Sequence, residues 1–375
     1  MLGVINEVSE NENRVALVPE DARKLSTKNI KVIIQSGAGK NSGFPDSDYL
    51  AANCEVVPER SEVLRRANII LMLGRPEKSD IHFIRKDAVL IGLIYPLKFQ
   101  SLVQDLAEAG IQSYSLELLP RTTRAQSMDV LSSQSAVAGY RAAIEGAFYS
   151  PRLMPMLTTA AGTVKPANLL VIGAGVAGLM AIATAKRLGA SVVAYDVRKT
   201  AGDDVRSLGA KFLDTGVNAV GAGGYARELT DEERRKEKEV LEASITTSDL
   251  IITAAGVPGK KAPTIITREM ISKMRPGAVI VDIMAEYGGN CEVTQPGQII
   301  EVESVKIIGP INPQSEAPIN ASQMFSRNAV SFLSILLGPD GNFVEPEKDD
   351  LLIACLVSRN GKITYKISKD GGEKK

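Results

Sequence analysis

The sequence predicts an α/β protein on three observations. Strand-like apolar runs alternate with helical stretches along most of the 375 residues, the order that builds parallel sheets with crossover helices. A glycine pattern, Gly173-x-Gly175-x-x-Gly178, joins one such run to a helical stretch. Strand-like runs fall into two groups, with a long helical stretch, Ser132–Tyr149, between them. The expected architecture is two doubly wound Rossmann-like domains, the first discontinuous, joined by long crossing helices. Residues 1–134 with 325–375 form one, and residues 135–324 the other.

Composition narrows the class further. Apolar residues make up 44% and charged residues 23%, enough apolar material for a large core and too much for a disordered chain. Lys+Arg and Asp+Glu both number 44, so no electrostatic footprint for nucleic acid or an anionic membrane is present. Cys54, Cys291 and Cys355 lie too far apart in sequence for a CxxC metal or redox motif. Their odd number argues against a disulfide framework and for a reducing compartment. No metal site is expected. The opening "MLGVINEVSENENR" is acidic and lacks a basic stretch before an apolar one, so it reads as neither signal nor transit peptide.

In the first group the strands are Lys31–Ser36, Asn68–Leu73, Ala88–Ile94 and Ile111–Glu117. A helix is expected over "PLKFQSLVQDLAEAG", starting at Pro96 and stopping at Gly110. "TTAAGTVKPAN" leads from the long helix into the strand "LLVIG". The later strands of the second group are "SVVAYD", Asp249–Ala255, Ala278–Ala285 and Val305–Gly309. Ala167–Ala185 is uncharged and about the length of a membrane span. Its glycines, and Lys186 and Arg187 directly after, fit a strand turning into a buried helix instead. Asp214–Leu229 holds four glycines and no hydrophobic period, the pattern of a mobile loop. Thr230 and Glu233 then form a capping box for a solvated, charged helix. "NASQMFSRNAVSFLSILLG" is amphipathic and is expected to return to the first domain.

The glycine pattern carries a mechanism. Gly173 permits a tight turn, Gly175 lets the backbone approach a pyrophosphate, and Gly178 lets helix and strand pack closely. The helix N-terminus offers N–H groups to the phosphates. Asp196 ends the next strand, about twenty residues on, where a carboxylate accepts from adenosine ribose hydroxyls. That charge favours NAD(H) over NADP(H), although Arg198 nearby is a competing reader of a 2′-phosphate.

A second unusual stretch is "LLPRTTRAQSMDVLSSQS", which crowds Arg121, Arg124, Gln126, Asp129, Ser132 and Ser133 before the long helix. This stretch, "TAAGTVKPANLLVIGAGVAGLMAIATAKRLGA" and "AGGYARE" resemble the soluble NAD(H)-binding component of Si-specific, proton-translocating nicotinamide nucleotide transhydrogenase. The resemblance covers most of the chain and implies hydride transfer between NAD(H) here and NADP(H) on a partner domain. It identifies Arg121–Asp129 with that family's Arg-Gln-Asp loop, against the nicotinamide end of the nucleotide. Carried over, Gln126 contacts the nicotinamide ribose and reaches toward the second nucleotide. Arg121 contacts the pyrophosphate or carboxamide, and Asp129 and Ser132 orient the loop. Thr122, Thr123 and Arg124 are further expected cofactor contacts. Val176, Val197, Arg198 and Gly224 fall on family nucleotide contacts, and Tyr225 matches a tyrosine that closes over the nucleotide.

The resemblance also implies a homodimer, a membrane-embedded proton-conducting subunit and a peripheral place at the cytoplasmic face of the inner membrane. A chain stopping at "KDGGEKK" reads as a separate subunit or an excised domain. Two alternatives stay open. Alanine dehydrogenase shares the two-domain plan and the "ENRVALVP" opening, but amino-acid oxidation needs a general base. The only histidine, His82, stands in a charged connection, Lys78 and Lys98 are near but displaced, and Arg14 is retained but alone suits a structural salt bridge equally well. The other alternative is a non-catalytic NAD-binding module.

Overall fold

The computed structural model describes residues 1–221, 227–257, 261–338 and 341–365. It divides into two compact units, 1–134 with 315–375, and 135–314.

The first unit is built on β1 (Leu2–Val4), β2 (Val32–Gln35), β3 (Glu55–Val57), β4 (Ile69–Leu71), β5 (Val89–Gly92) and β6 (Gln112–Ser115). The parallel order is β3-β2-β1-β4-β5-β6, with β1 central: Leu2 pairs with both Val32 and Ile69. Two antiparallel strands from the chain's far end, Leu356–Arg359 and Lys362–Ile363, extend the sheet beyond β6. Strands buried on both faces read as unbroken apolar runs, as in "IIL" of β4. The helix Pro318–Leu336 belongs to this unit and buries Phe325, Ala329, Phe332 and Leu336 in its core.

The expected helix from Pro96 is shorter, Gln100–Glu108. Tyr95 takes a left-handed φ of 52°, and Phe99 at φ −120°, ψ 55° is not helical. Pro96–Lys98 therefore form a turn, closed by the Lys98 and Phe99 amides on the Tyr95 carbonyl. Gly110, at φ 73°, does follow the helix end.

The second unit opens with an antiparallel hairpin, β7 (Leu157–Thr159) and β8 (Gly162–Val164), exposed at every strand residue. From sequence alone this segment reads as a plain connection, because it has no buried face to impose a pattern. The main strands are β9 (Asn168–Ile172), β10 (Ser191–Tyr195), β11 (Lys211–Phe212), β12 (Leu250–Thr253), β13 (Val279–Asp282), β14 (Ile299–Val302) and β15 (Val305–Ile308). Their order is β11-β10-β9-β12-β13-β15-β14, parallel except for β14. The order reverses between β9 and β12, and in open α/β sheets ligands bind at such a switch point, beyond the strands' carboxyl ends. The α/β, doubly wound class expected from sequence is borne out.

Ala167–Ala185 is β9 followed by the helix Val176–Arg187. No helix among the described residues is long and apolar enough to cross a membrane. The capping box forms: Thr230 Oγ1 accepts from the Glu233 amide, and the Glu233 carboxylate accepts from the Thr230 amide. It opens the helix Asp231–Thr247. All three cysteines are free and buried.

Candidate dinucleotide site

The three glycines of the turn differ in what they require. Gly173 ends β9 at φ 95°, and a Cβ there would stand 2.7 Å from the Ala254 carbonyl carbon and the Ala255 nitrogen. At Gly178 a Cβ would stand 1.8 Å from the Gly173 carbonyl oxygen. Both positions are glycine because backbone passes too close for anything larger. Gly175 is different. Its φ of −81° suits any residue, and a Cβ there would meet nothing within 4 Å. No contact within the protein excludes a side chain at 175; what the fold itself gains from glycine there is the modest preference of an N-cap.

Gly175 is also the N-cap of the helix Val176–Arg187, and no side chain caps it. Amides of a helix's first turn lack intrahelical partners and attract anions. Val176 opens that turn and is partly exposed.

Asp196, just past β10, is buried. One carboxylate oxygen accepts from the Ala174 amide (2.8 Å), inside the glycine turn. The other accepts from the Arg198 amide at 2.8 Å and Nε at 2.9 Å. Arg198 also reaches the first oxygen through Nη2 at 2.9 Å. Arg198 is thus an ion-pair partner of Asp196. Val197, half-buried, accepts from the Ala219 amide (2.8 Å) through its carbonyl. The Arg227 amide bonds in turn to the Ala219 carbonyl at 3.0 Å. Gly224 and Tyr225 lie outside the described residues.

The second constellation belongs to the first unit. Thr123–Met128 form a 3₁₀ turn anchored by buried Ala125 and Met128. Arg121, Thr122, Thr123 and Gln126 are exposed. Asp129 starts the helix Val130–Tyr149, accepting from the Ser132 amide at 2.9 Å and the Ser132 hydroxyl at 2.6 Å. Arg124 pairs with Asp349 and Asp350, and Asp349 in turn caps the helix Asp350–Cys355. Asn328 donates to the Ser127 carbonyl (2.7 Å) from the helix Pro318–Leu336. The loop is thus tied at three points, and Gln126 stands on its open face.

Arg14 is buried. Its Nη2 lies 2.6 Å from Glu12, and its Nη1 donates to Gln134 at 2.7 Å. His82 is exposed on a short 3₁₀ turn. Lys78 is 83% exposed, 3.5 Å from Asp105. Lys98 is exposed beside the Phe99 ring. Among the described residues no cluster could hold a metal ion.

A polar hub behind β12 and β13 has no counterpart in the sequence motifs. Asp282 is fully buried and accepts five hydrogen bonds, and Asn290 is fully buried beside it. Their partners come from separate chain segments, so no local spacing announces them.

Two α/β units, one carrying an intact dinucleotide turn, define a protein of the nicotinamide-nucleotide-binding class. The profile described as "Alanine dehydrogenase/PNT, N-terminal domain" matches residues 3–138, and that described as "Alanine dehydrogenase/PNT, C-terminal domain" matches residues 142–366. The chain belongs to the alanine dehydrogenase/PNT family. It is 40% identical over 374 residues to an NAD(P) transhydrogenase subunit alpha chain of Rhodospirillum rubrum, covering 97% of each chain. The crystal structure of transhydrogenase from Sinorhizobium meliloti superposes with a TM-score of 0.87 at 39% identity, over 96% of this chain and 99% of that one. Alanine dehydrogenase of Mycobacterium tuberculosis is more distant, 30% identical over 298 residues, 79% of this chain and 75% of that protein.

Proposed function

We propose that this chain is the NAD(H)-binding component of a proton-translocating transhydrogenase, passing hydride between its own NAD(H) and NADP(H) on a partner domain. The observation that carries the reading is Gly175, a glycine that no contact within the protein requires, at a helix start that no side chain caps. The pyrophosphate fits there, against the first-turn amides, with the adenosine ribose toward Asp196. Bound nicotinamide supplies the hydride at its C4 carbon.

What the chain supplies is position. Hydride passing between two nicotinamides releases no proton, so no general base is required. The reacting carbons need to be held about 3–3.5 Å apart and in line. Exposed Gln126, on a loop anchored by Ala125, Met128 and Asn328, suits that task. Arg121, Thr122 and Thr123 are carried as nucleotide contacts, with Asp129 and Ser132 fixing the loop's exit into the helix. Arg124 contributes by tethering the loop to Asp349 and Asp350. Tyr225 is carried as the residue that closes over the nucleotide.

Alanine oxidation would need a base. The chain has 1 histidine, and His82 is exposed on a charged turn, as Lys78 and Lys98 are exposed on the surface. The dehydrogenase reading therefore lacks its proton acceptor. The proposed assembly is a homodimer with an NADP(H)-binding domain and a membrane-embedded proton-conducting subunit at the cytoplasmic face. Phe148 near the end of the helix Val130–Tyr149, at 80% exposure, Met156 just before β7, at 64%, and the exposed hairpin β7–β8 offer apolar surface for the second copy. Calorimetry tests the cofactor choice: NADH should bind at least about tenfold tighter than NADPH, and equal affinities would refute the reading of Asp196. Sedimentation giving only monomer would refute the dimer.

A further inference from the structure

Asn290 and Asp282 are both fully buried, and neither belongs to the glycine turn, the Asp196–Arg198 pair or the Arg121–Asp129 loop. Asp282 ends β13. Its Oδ1 accepts from the Thr253 hydroxyl at 2.9 Å and the Met284 amide at 3.1 Å. Its Oδ2 accepts from the Asn290 amide at 2.8 Å, the Cys291 amide at 3.0 Å and the Thr294 hydroxyl at 2.8 Å. A buried carboxylate so fully bonded fixes its surroundings, because each lost partner leaves a costly unpaired group.

What it fixes is Asn290. The Asn290 carboxamide holds both backbone groups of Ala255: Oδ1 accepts from the Ala255 amide at 3.0 Å, and Nδ2 donates to the Ala255 carbonyl at 2.8 Å. Nδ2 also donates to the Pro263 carbonyl at 2.8 Å. The need for this is visible in the sheet. The Ala254 amide still pairs with Ile172 of β9 at 2.8 Å. Successive residues face opposite neighbours: the Thr253 carbonyl accepts from the Ile283 amide on the β13 side at 3.0 Å, and Ala255, which faces the same side, has lost its strand neighbour because β13 ends at Asp282. The Asn290 side chain supplies the missing rung at the switch point, where Ala254 and Ala255 lie against Gly173.

Strand order says which half of a dinucleotide meets this backbone. Asp196 follows β10, the glycine turn follows β9, and Ala254–Gly256 follow β12 on the opposite side. With adenosine toward Asp196 and pyrophosphate at the turn, the nicotinamide half extends over the end of β12. We propose that Asn290, held by Asp282, is a positioning residue for the nicotinamide half, setting the height of the Ala254–Gly256 backbone on which that half rests. The inference depends on the dinucleotide reading above and adds a residue to it.

ADP-ribose, which keeps the adenosine and pyrophosphate and lacks nicotinamide, separates the two. Asn290→Ala in the full chain should weaken NADH by about tenfold, the worth of one lost buried hydrogen-bonding group, and leave ADP-ribose within about twofold by calorimetry. A purely structural role would change both ligands by the same factor or neither, and either result overturns the proposal. If the unaltered protein bound neither ligand, the dinucleotide reading itself would fall, a distinguishable outcome. Should Asn290→Ala not fold, hydrogen exchange at the Ala255 amide of the unaltered protein decides. NADH should slow that exchange beyond the effect of ADP-ribose, and equal slowing by both overturns the inference.

Discussion

Replacing Gly175 by Ala separates what the fold needs from what a ligand needs. The backbone at 175 already has an ordinary φ of −81°, and the new methyl meets nothing within 4 Å. Two small effects on stability oppose each other. Alanine is a poorer N-cap than glycine by about 0.5–1 kcal/mol, while it reduces the freedom of the unfolded chain by about 0.4–1 kcal/mol. The unfolding free energy from urea titration should therefore stay within about 0.5 kcal/mol of the parent's. Binding should behave otherwise. A methyl between the turn and a pyrophosphate removes at least one hydrogen bond to a charged group, about 1.5–3 kcal/mol. That is a factor of about ten to about a hundred and fifty in the NADH dissociation constant. Gly178→Ala is the control of opposite character. Its Cβ, 1.8 Å from the Gly173 oxygen, forces backbone apart and should cost about 1–3 kcal/mol of stability, as overpacking does. Urea unfolding and calorimetric titration of both variants read the contrast. Undiminished NADH affinity in Gly175→Ala would refute the reasoning, because no ligand would then approach the turn. An unfolded Gly175→Ala would refute it differently, by showing that the fold does need this glycine.

Three further outcomes follow from the same geometry. Gln126→Asn, which shortens an exposed side chain by one methylene, should leave NADH affinity nearly unchanged and slow hydride transfer by on the order of a hundredfold; equal losses in both would make Gln126 only a binding residue. Asp196→Ala releases the Arg198 guanidinium from its ion pair, so NADH should weaken and NADPH tighten, and an unchanged ratio of the two would contradict the pairing of roles. Glu7, whose carboxylate accepts from the Leu73 amide at 2.6 Å, is raised by burial from 4.5 to about 7. The folded state thus holds this proton more tightly than the unfolded one, and the stability it confers is present below about 4.5 and lost as pH rises to about 7. Glu7→Gln should flatten that decline in urea midpoints measured across the range, and parallel declines in the two proteins would refute it.

Much of the fold is legible in the sequence where the signal is local. The glycine turn, the apolar runs of β9, β12 and β13, the Thr230–Glu233 capping box and the amphipathic helix Pro318–Leu336 each depend on neighbours a few residues apart. Strands without a contrasting local pattern are not legible. β1 has only three residues and gains its central place from pairing with Val32 and Ile69. β14 is half exposed and antiparallel at a sheet edge, and β7–β8 is exposed throughout. Side-chain partners behave the same way. Arg124 reads as a nucleotide contact in sequence, yet Asp349 and Asp350, more than two hundred residues on, hold it in the structure. The rung that Asn290 supplies to Ala255 exists only because β13 leaves the sheet after Asp282, a fact of the folded sheet with no trace in spacing.

The central claim is that this chain aims a hydride and does not oxidise an amino acid. Mixing it, loaded with NADH deuterated at C4, with a transhydrogenase NADP(H)-binding domain carrying NADP⁺ tests this in a single turnover. The account predicts rapid appearance of deuterated NADPH, and no NADH when the same chain is given NAD⁺ and alanine. No transfer to the NADP⁺-loaded partner, together with steady NADH formation from alanine, would contradict it.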